Sequence, residues 1–222
     1  MEQEPNTTLR QPPYFNMWTL WLLATVGYGV VWASEIYFRG AADLLGVYST
    51  YFGGPLLGIL QGLVLRRCFV ARGWWNWILS SSVAWLIAML IMMVLGGITL
   101  AGTGLNPGAD VRGCLVVVCG LAGYLFGLAQ AGFSQIKFDA ALWAIITAFA
   151  WTVGAFVGGI IGLAAHRAMF PPWRYTSSID TPQFTMGVAL GVLTAMIVIG
   201  AVTGLGIVAQ TLMNYQDSTS EV

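Results

Sequence analysis

Three glutamines, Gln61, Gln130 and Gln210, stand as neutral polar groups inside long apolar runs. A side-chain amide offers both a donor and an acceptor, and in lipid it has two uses. It can hold a ligand's carbonyl, a lipid headgroup or the polar edge of a pigment. It can instead hydrogen-bond a neighbouring helix, at about 0.6–2 kcal/mol per bond. The second use is the commoner one. Ser80, Ser81 and Ser82 add a polar cluster in another run, with Trp85 soon after and Trp151 deep in a later run. Gln61, Gln130, Gln210, Ser80, Trp85 and Trp151 are therefore the candidates for lining an intramembrane groove.

A catalytic set is harder to assemble. Ser80 to Ser82 face three directions on a helix, and no base lies in the core of another run to activate a serine. His166 is the single histidine, so two-histidine metal or haem ligation within one chain is excluded. Beside Arg167 near the end of a run, it fits the headgroup layer. Cys114 and Cys119 lie five apart on one predicted helix and Cys68 follows Arg66 and Arg67, a pattern of apolar fillers rather than a disulfide framework. The cores of the apolar runs hold no Asp, Glu, Lys, Arg or His away from their ends. That weighs against proton or sodium antiport, voltage sensing and histidine-ligated redox centres. The sequence predicts a non-enzyme that requires no cofactor, and it leaves a bound lipid or pigment open.

The elements that carry these groups are set by composition. The chain of 222 residues is 58% hydrophobic and 8% charged, where soluble domains carry roughly 25% charge, and its mean hydropathy is +0.77. Nine basic residues balance nine acidic ones, which gives no electrostatic case for nucleic acid. Apolar runs of membrane-spanning length fall near Met17–Ala33, Val47–Leu65, Trp74–Leu100, Gly113–Ile136, Ala141–Ala165 and Phe184–Met213. The expected fold is an all-α integral membrane domain of about six transmembrane helices over 17–213. A disordered polar tail (1–16) precedes it and a polar tail (214–222) follows. Residues 1–14 lack a basic stretch before a short apolar core, so the first run reads as a retained anchor rather than a cleaved signal.

Glycine spacing says which faces meet. Gly54, Gly58 and Gly62 recur every four residues, as do Gly123 and Gly127, and Gly154, Gly158 and Gly162. Each set forms a smooth stripe against which another backbone can approach closely. Gly58 precedes Gln61 by three residues, and Gly127 precedes Gln130 by three. Trp77 and Trp85 are eight apart, like Trp143 and Trp151, and Tyr28 falls opposite Trp85 and Trp151 on the same frame. These patterns predict two or three tandem helix hairpins, an aromatic helix out and a small-residue helix back, running in parallel. In the last hairpin Gln210 sits four residues after Gly206 rather than three, so the third copy is the least regular.

The segment Gly58-Ile-Leu-Gln61-Gly-Leu-Val-Leu-Arg66, recurring beside Trp-led helices, resembles a group of uncharacterised bacterial multi-pass membrane proteins. The resemblance covers roughly Gly53–Trp85 and Gly123–Trp151. It implies a bundle of about six helices in a bacterial inner or other energy-transducing membrane, and it implies no activity. For orientation, Arg10, Arg66, Arg67, Arg72 and Lys137 share one side against Arg39, Arg112, Arg167 and Arg174 on the other. The concentrated Arg66–Arg72 loop favours both termini inside. The functional expectation is a non-catalytic accessory or scaffold subunit, or a binder of lipid-like or pigment-like molecules. Its partners would be membrane lipids and a larger membrane complex or a second copy. The alternative is a transporter or channel for a small neutral or apolar solute.

Overall fold

A computed structural model describes residues 14–39, 47–69, 74–102, 109–133, 139–169 and 182–220. Residues 1–13, 40–46, 70–73, 103–108, 134–138, 170–181 and 221–222, among them Arg10, Arg72, Lys137 and Arg174, lie outside the described residues. Among those described, the chain forms six α-helices and no strand: α1 (Tyr14–Arg39), α2 (Val47–Phe69), α3 (Trp74–Gly102), α4 (Ala109–Phe133), α5 (Ala140–Met169) and α6 (Pro182–Ser220). α6 stays helical past Met213, where its apolar run ends. At about 1.5 Å per residue each helix is 34–60 Å long, enough to traverse a hydrocarbon core of about 30 Å.

Among the described residues, five of the six helices, α1 and α3 to α6, are both long and apolar enough to cross a membrane. The chain thus has the make-up of an integral membrane protein. The exception is α2. It carries Gly53, Gly54, Pro55, Gly58, Gln61 and Gly62, then Arg66 and Arg67 in its last turn, which dilute its apolar character. α2 nonetheless lies between α1 and α3 as an equal member of the bundle.

Each helix packs antiparallel against its neighbours in the chain, and α6 returns to α1, so the six close into a ring. Small residues bring the backbones together. A methyl group at Gly54 would lie 2.5 Å from Trp85 Cβ, one at Gly58 3.1 Å from Ile78 Cα, and one at Gly62 3.3 Å from an Ile78 side-chain carbon, all on α3. Gly123 and Gly127 meet α5 in the same way, with Trp151 Cβ at 2.7 Å and Ala144 Cα at 2.8 Å from such a methyl. The closest approach is between α5 and α6. Methyls at Gly162 and Gly191 would each lie 2.7 Å from a carbonyl oxygen, of Gly187 and Gly158 respectively, and one at Gly154 3.0 Å from that of Ala195. No side chain fits there, so glycine is required by contact rather than by backbone conformation. On the outer surface Leu23, Leu79, Leu90, Val117, Phe149 and Leu205 are exposed, as a lipid-facing surface demands.

Candidate functional site

Inside the ring, each helix contributes one buried hydrogen-bonding side chain near the same level. They are Thr25 (α1), Gln61 (α2), Ser81 (α3), Gln130 (α4), Thr147 (α5) and Thr203 (α6), none more than 5% exposed. Neighbouring members are joined across helices. Gln61 Nε2 donates to Thr25 Oγ1 at 3.3 Å, and Gln130 Nε2 donates to Ser81 Oγ at 2.8 Å. The threonine hydroxyls of Thr25, Thr147 and Thr203 donate to backbone carbonyls one turn back, of Trp21, Trp143 and Ile199. Such back-bonding satisfies a hydroxyl locally when no water is at hand.

One turn from this belt lie three tryptophans, Trp21, Trp77 and Trp143, one from each odd-numbered helix. Their ring centroids stand 5.6, 6.3 and 6.0 Å apart in edge-to-face contact, the geometry the ring quadrupole favours. All are at most 1% exposed. Two are tied to the belt through the indole N–H: Trp143 Nε1 donates to Gln130 Oε1 and Trp21 Nε1 to Thr203 Oγ1, both at 3.0 Å. On the other side of the belt a second aromatic group collects Tyr28, Trp32, Trp85, Phe126 and Trp151. Here Tyr28 lies 5.4 Å from Trp85, and Trp85 lies 6.0 Å from Trp151.

A cavity of about 420 Å³ occupies the ring axis, and every helix lines it. Trp21, Trp143 and the belt residues other than Ser81 form one end; Trp85, Phe126 and Trp151 form the walls; Leu163, His166 and Gly187 stand at the other. From Trp143 to His166 is 23 residues along α5, about 35 Å of axis. Its volume falls within the roughly 300–1,000 Å³ typical of ligand pockets, and its length makes it slender. Gly158 and Gly162, besides packing on α6, expose backbone to it.

The sequence candidates separate in this geometry. Gln61 and Gln130 join the belt, and Trp85 and Trp151 wall the cavity. Gln210 does neither. Although 2% exposed, it sits two turns beyond Thr203, accepts from the Asp139 backbone N–H at 3.1 Å and donates to the Asp139 carbonyl at 3.4 Å. Asp139 in turn caps α5 by accepting from Leu142 N–H at 3.0 Å. Thus Gln210 ties the start of α5 to α6. Ser80 is buried and donates to its own helix at Trp77, whereas its neighbour Ser81 receives Gln130. From sequence, Ser81 stood out only within a serine cluster and Trp77 and Trp143 only as repeat markers, and Trp21, Thr25, Thr147 and Thr203 were not singled out, yet a signal exists. Trp and Ser or Thr are spaced by four at Trp21/Thr25, Trp77/Ser81 and Trp143/Thr147, and Gly200 precedes Thr203 by three, like Gly58 and Gln61.

No set of His, Cys, Asp and Glu among the described residues is arranged to hold a metal. Cys119 lines the cavity and Cys114 is exposed outside it, both as free thiols. No protein-family profile, curated protein or solved structure matches the chain.

Proposed function

We propose that the protein is a non-catalytic membrane protein that houses a lipid-like or pigment-like molecule inside a ring of six transmembrane helices. The observation that carries this reading is the axial cavity of about 420 Å³, lined from all six helices and walled by aromatic rings and glycine backbone. Apolar pockets with a few convergent polar groups are the usual form of small-molecule sites. A conducting path for water-soluble solutes needs a more polar lining than this, and three packed tryptophans stand across one end. The polar groups that are present bond mostly to one another, an arrangement suited to holding a shape rather than to acid–base chemistry.

The same reading takes the ring as three successive copies of a two-helix unit. Its support is the recurrence of Trp-x-x-x-Ser/Thr on α1, α3 and α5 and of Gly-x-x-Gln/Thr on α2, α4 and α6. In this register Thr203, not Gln210, takes the third glutamine place. α2 counts as a sixth span, its polar residues turned to its partners, and the side bearing Arg66 and Arg67 faces inward.

The test is native mass spectrometry of gently extracted protein, with an absorption spectrum and an organic extract of the same sample. A retained small molecule at one per chain is the expected result. Protein free of any ligand, together with flux of a neutral solute in liposomes, would establish the transporter reading instead. Stoichiometric foreign subunits with an empty cavity would make it an accessory subunit.

A further inference from the structure

Resting on that binding reading, we infer the ligand's chemistry: a neutral, elongated hydrocarbon bearing a hydroxyl at one end, its O–H donating to Gln61 Oε1 and its chain running along the axis toward His166. The orientation of the Gln61 amide is fixed by its neighbour. Thr25 Oγ1 donates to the Trp21 carbonyl at 3.0 Å, so toward Gln61 it acts as acceptor and must face the amide nitrogen, 3.3 Å away. The amide oxygen therefore points elsewhere. Gln61 is 5% exposed and lines the cavity. Its Oε1, with under 1 Å² of accessible surface, has no hydrogen-bond partner, so a ligand hydroxyl reaches it once the side chain shifts toward the axis. Gln130 differs in this respect, because its oxygen takes the Trp143 indole N–H and its nitrogen serves Ser81. A buried acceptor left unpaired is costly, and a ligand that supplies the donor recovers that cost on binding.

The rest of the belt sharpens the choice. The hydroxyl hydrogens of Thr25, Thr147 and Thr203 are all directed to backbone carbonyls, so these side chains keep only lone pairs for anything inside the ring. Against the threonines a ketone, quinone or ester oxygen would meet only lone pairs, and even one that took the second N–H of the Gln61 or Gln130 amide would leave Gln61 Oε1 unpaired. A hydroxyl brings the missing hydrogen. Among the described residues no Asp, Glu, Lys or Arg lines the cavity, which disfavours an ionised head at this depth. From Thr147 in the belt to His166 is 19 residues along α5, about 28 Å, and the wall between them is apolar or glycine. That length suits one extended chain.

Cys119 gives a reporter inside the cavity. With Cys68→Ser and Cys114→Ser in the full chain in nanodiscs, alkylation of Cys119 by N-ethylmaleimide is followed in the presence of hexadecan-1-ol or methyl hexadecanoate. The alcohol is expected to protect at about tenfold lower concentration than the ester, the worth of one buried hydrogen bond. Gln61→Leu is expected to remove that difference by weakening the alcohol alone. Equal protection by both compounds in the protein with native Gln61 overturns the donor assignment and leaves a cavity binder. A tenfold preference that survives Gln61→Leu overturns the role of Gln61. Protection by neither compound overturns the binding reading itself. Should Gln61→Leu not fold, the alcohol–ester comparison with native Gln61 decides alone.

Discussion

Three buried glutamines occupy three different situations, and each predicts a different cost of removal. Gln130 satisfies Ser81 and Trp143 at once. Gln130→Leu strands a buried indole N–H and is expected to lower stability by about 1–3 kcal/mol, read as a fall in melting temperature in detergent. Gln61→Leu breaks one bond, to Thr25, and removes an oxygen that nothing in the protein satisfies. Its loss should be smaller, and a fall as large as that of Gln130→Leu would contradict the unequal pairing. Gln210 could be read from sequence only as a third amide in an apolar run. Its true partner is the backbone of Asp139, 71 positions away, and no local pattern encodes that pairing. Thr203 was hidden for the opposite reason. Its hydroxyl accepts from Trp21 as the Gln130 amide accepts from Trp143, so no amide marks the position.

At the scale of helices, glycine spacing foretold which faces meet better than it foretold how closely. The stripes at Gly54/Gly58/Gly62, Gly123/Gly127 and Gly154/Gly158/Gly162 all lie at helix contacts. Spacing alone does not distinguish them from glycines that touch nothing. Gly27 has no atom within 4 Å of an added methyl, whereas a methyl at Gly127 would meet the Thr147 hydroxyl and sit 2.8 Å from Ala144 Cα. Gly127→Ala is thus expected to destabilise by about 1–3 kcal/mol through forced separation of α4 and α5. Gly27→Ala should be neutral or stabilising by up to about 1 kcal/mol, because alanine is the better helix former. Paired detergent melts of the two variants check this, and equal effects would rule out close packing as the reason for the stripe. The helix α2 was legible as an apolar run, while Gln61 bonds Thr25 on α1 and Gly54, Gly58 and Gly62 pack on α3.

For the molecule as a whole, lipid embedding and the helix order were written in composition and run length, while closure of the ring was not. The seam between α1 and α6 joins residues some 180 positions apart, with Trp18 donating to the Ala201 carbonyl and Trp21 to Thr203. A methyl at Gly200 would lie 2.9 Å from Thr25 Cβ, so the two helices must part by roughly half an ångström or more to reach the usual disulfide separation of about 3.5–4.5 Å. Thr25→Cys with Gly200→Cys, in a background free of the native cysteines, should therefore oxidise within one chain, seen as a thiol-sensitive gel shift of the monomer. Absence of that cross-link would argue for an open arc of helices. The closed ring also has an electrical consequence. Among the described residues no Asp, Glu, Lys or Arg lines the cavity, and moving one elementary charge through the membrane field is worth about 2.3 kcal/mol per 100 mV. With an uncharged occupant no such work is done, so loading of the cavity should be the same in polarised and depolarised vesicles. On the proposed binding function, a membrane whose voltage rises and collapses would leave the occupant undisturbed.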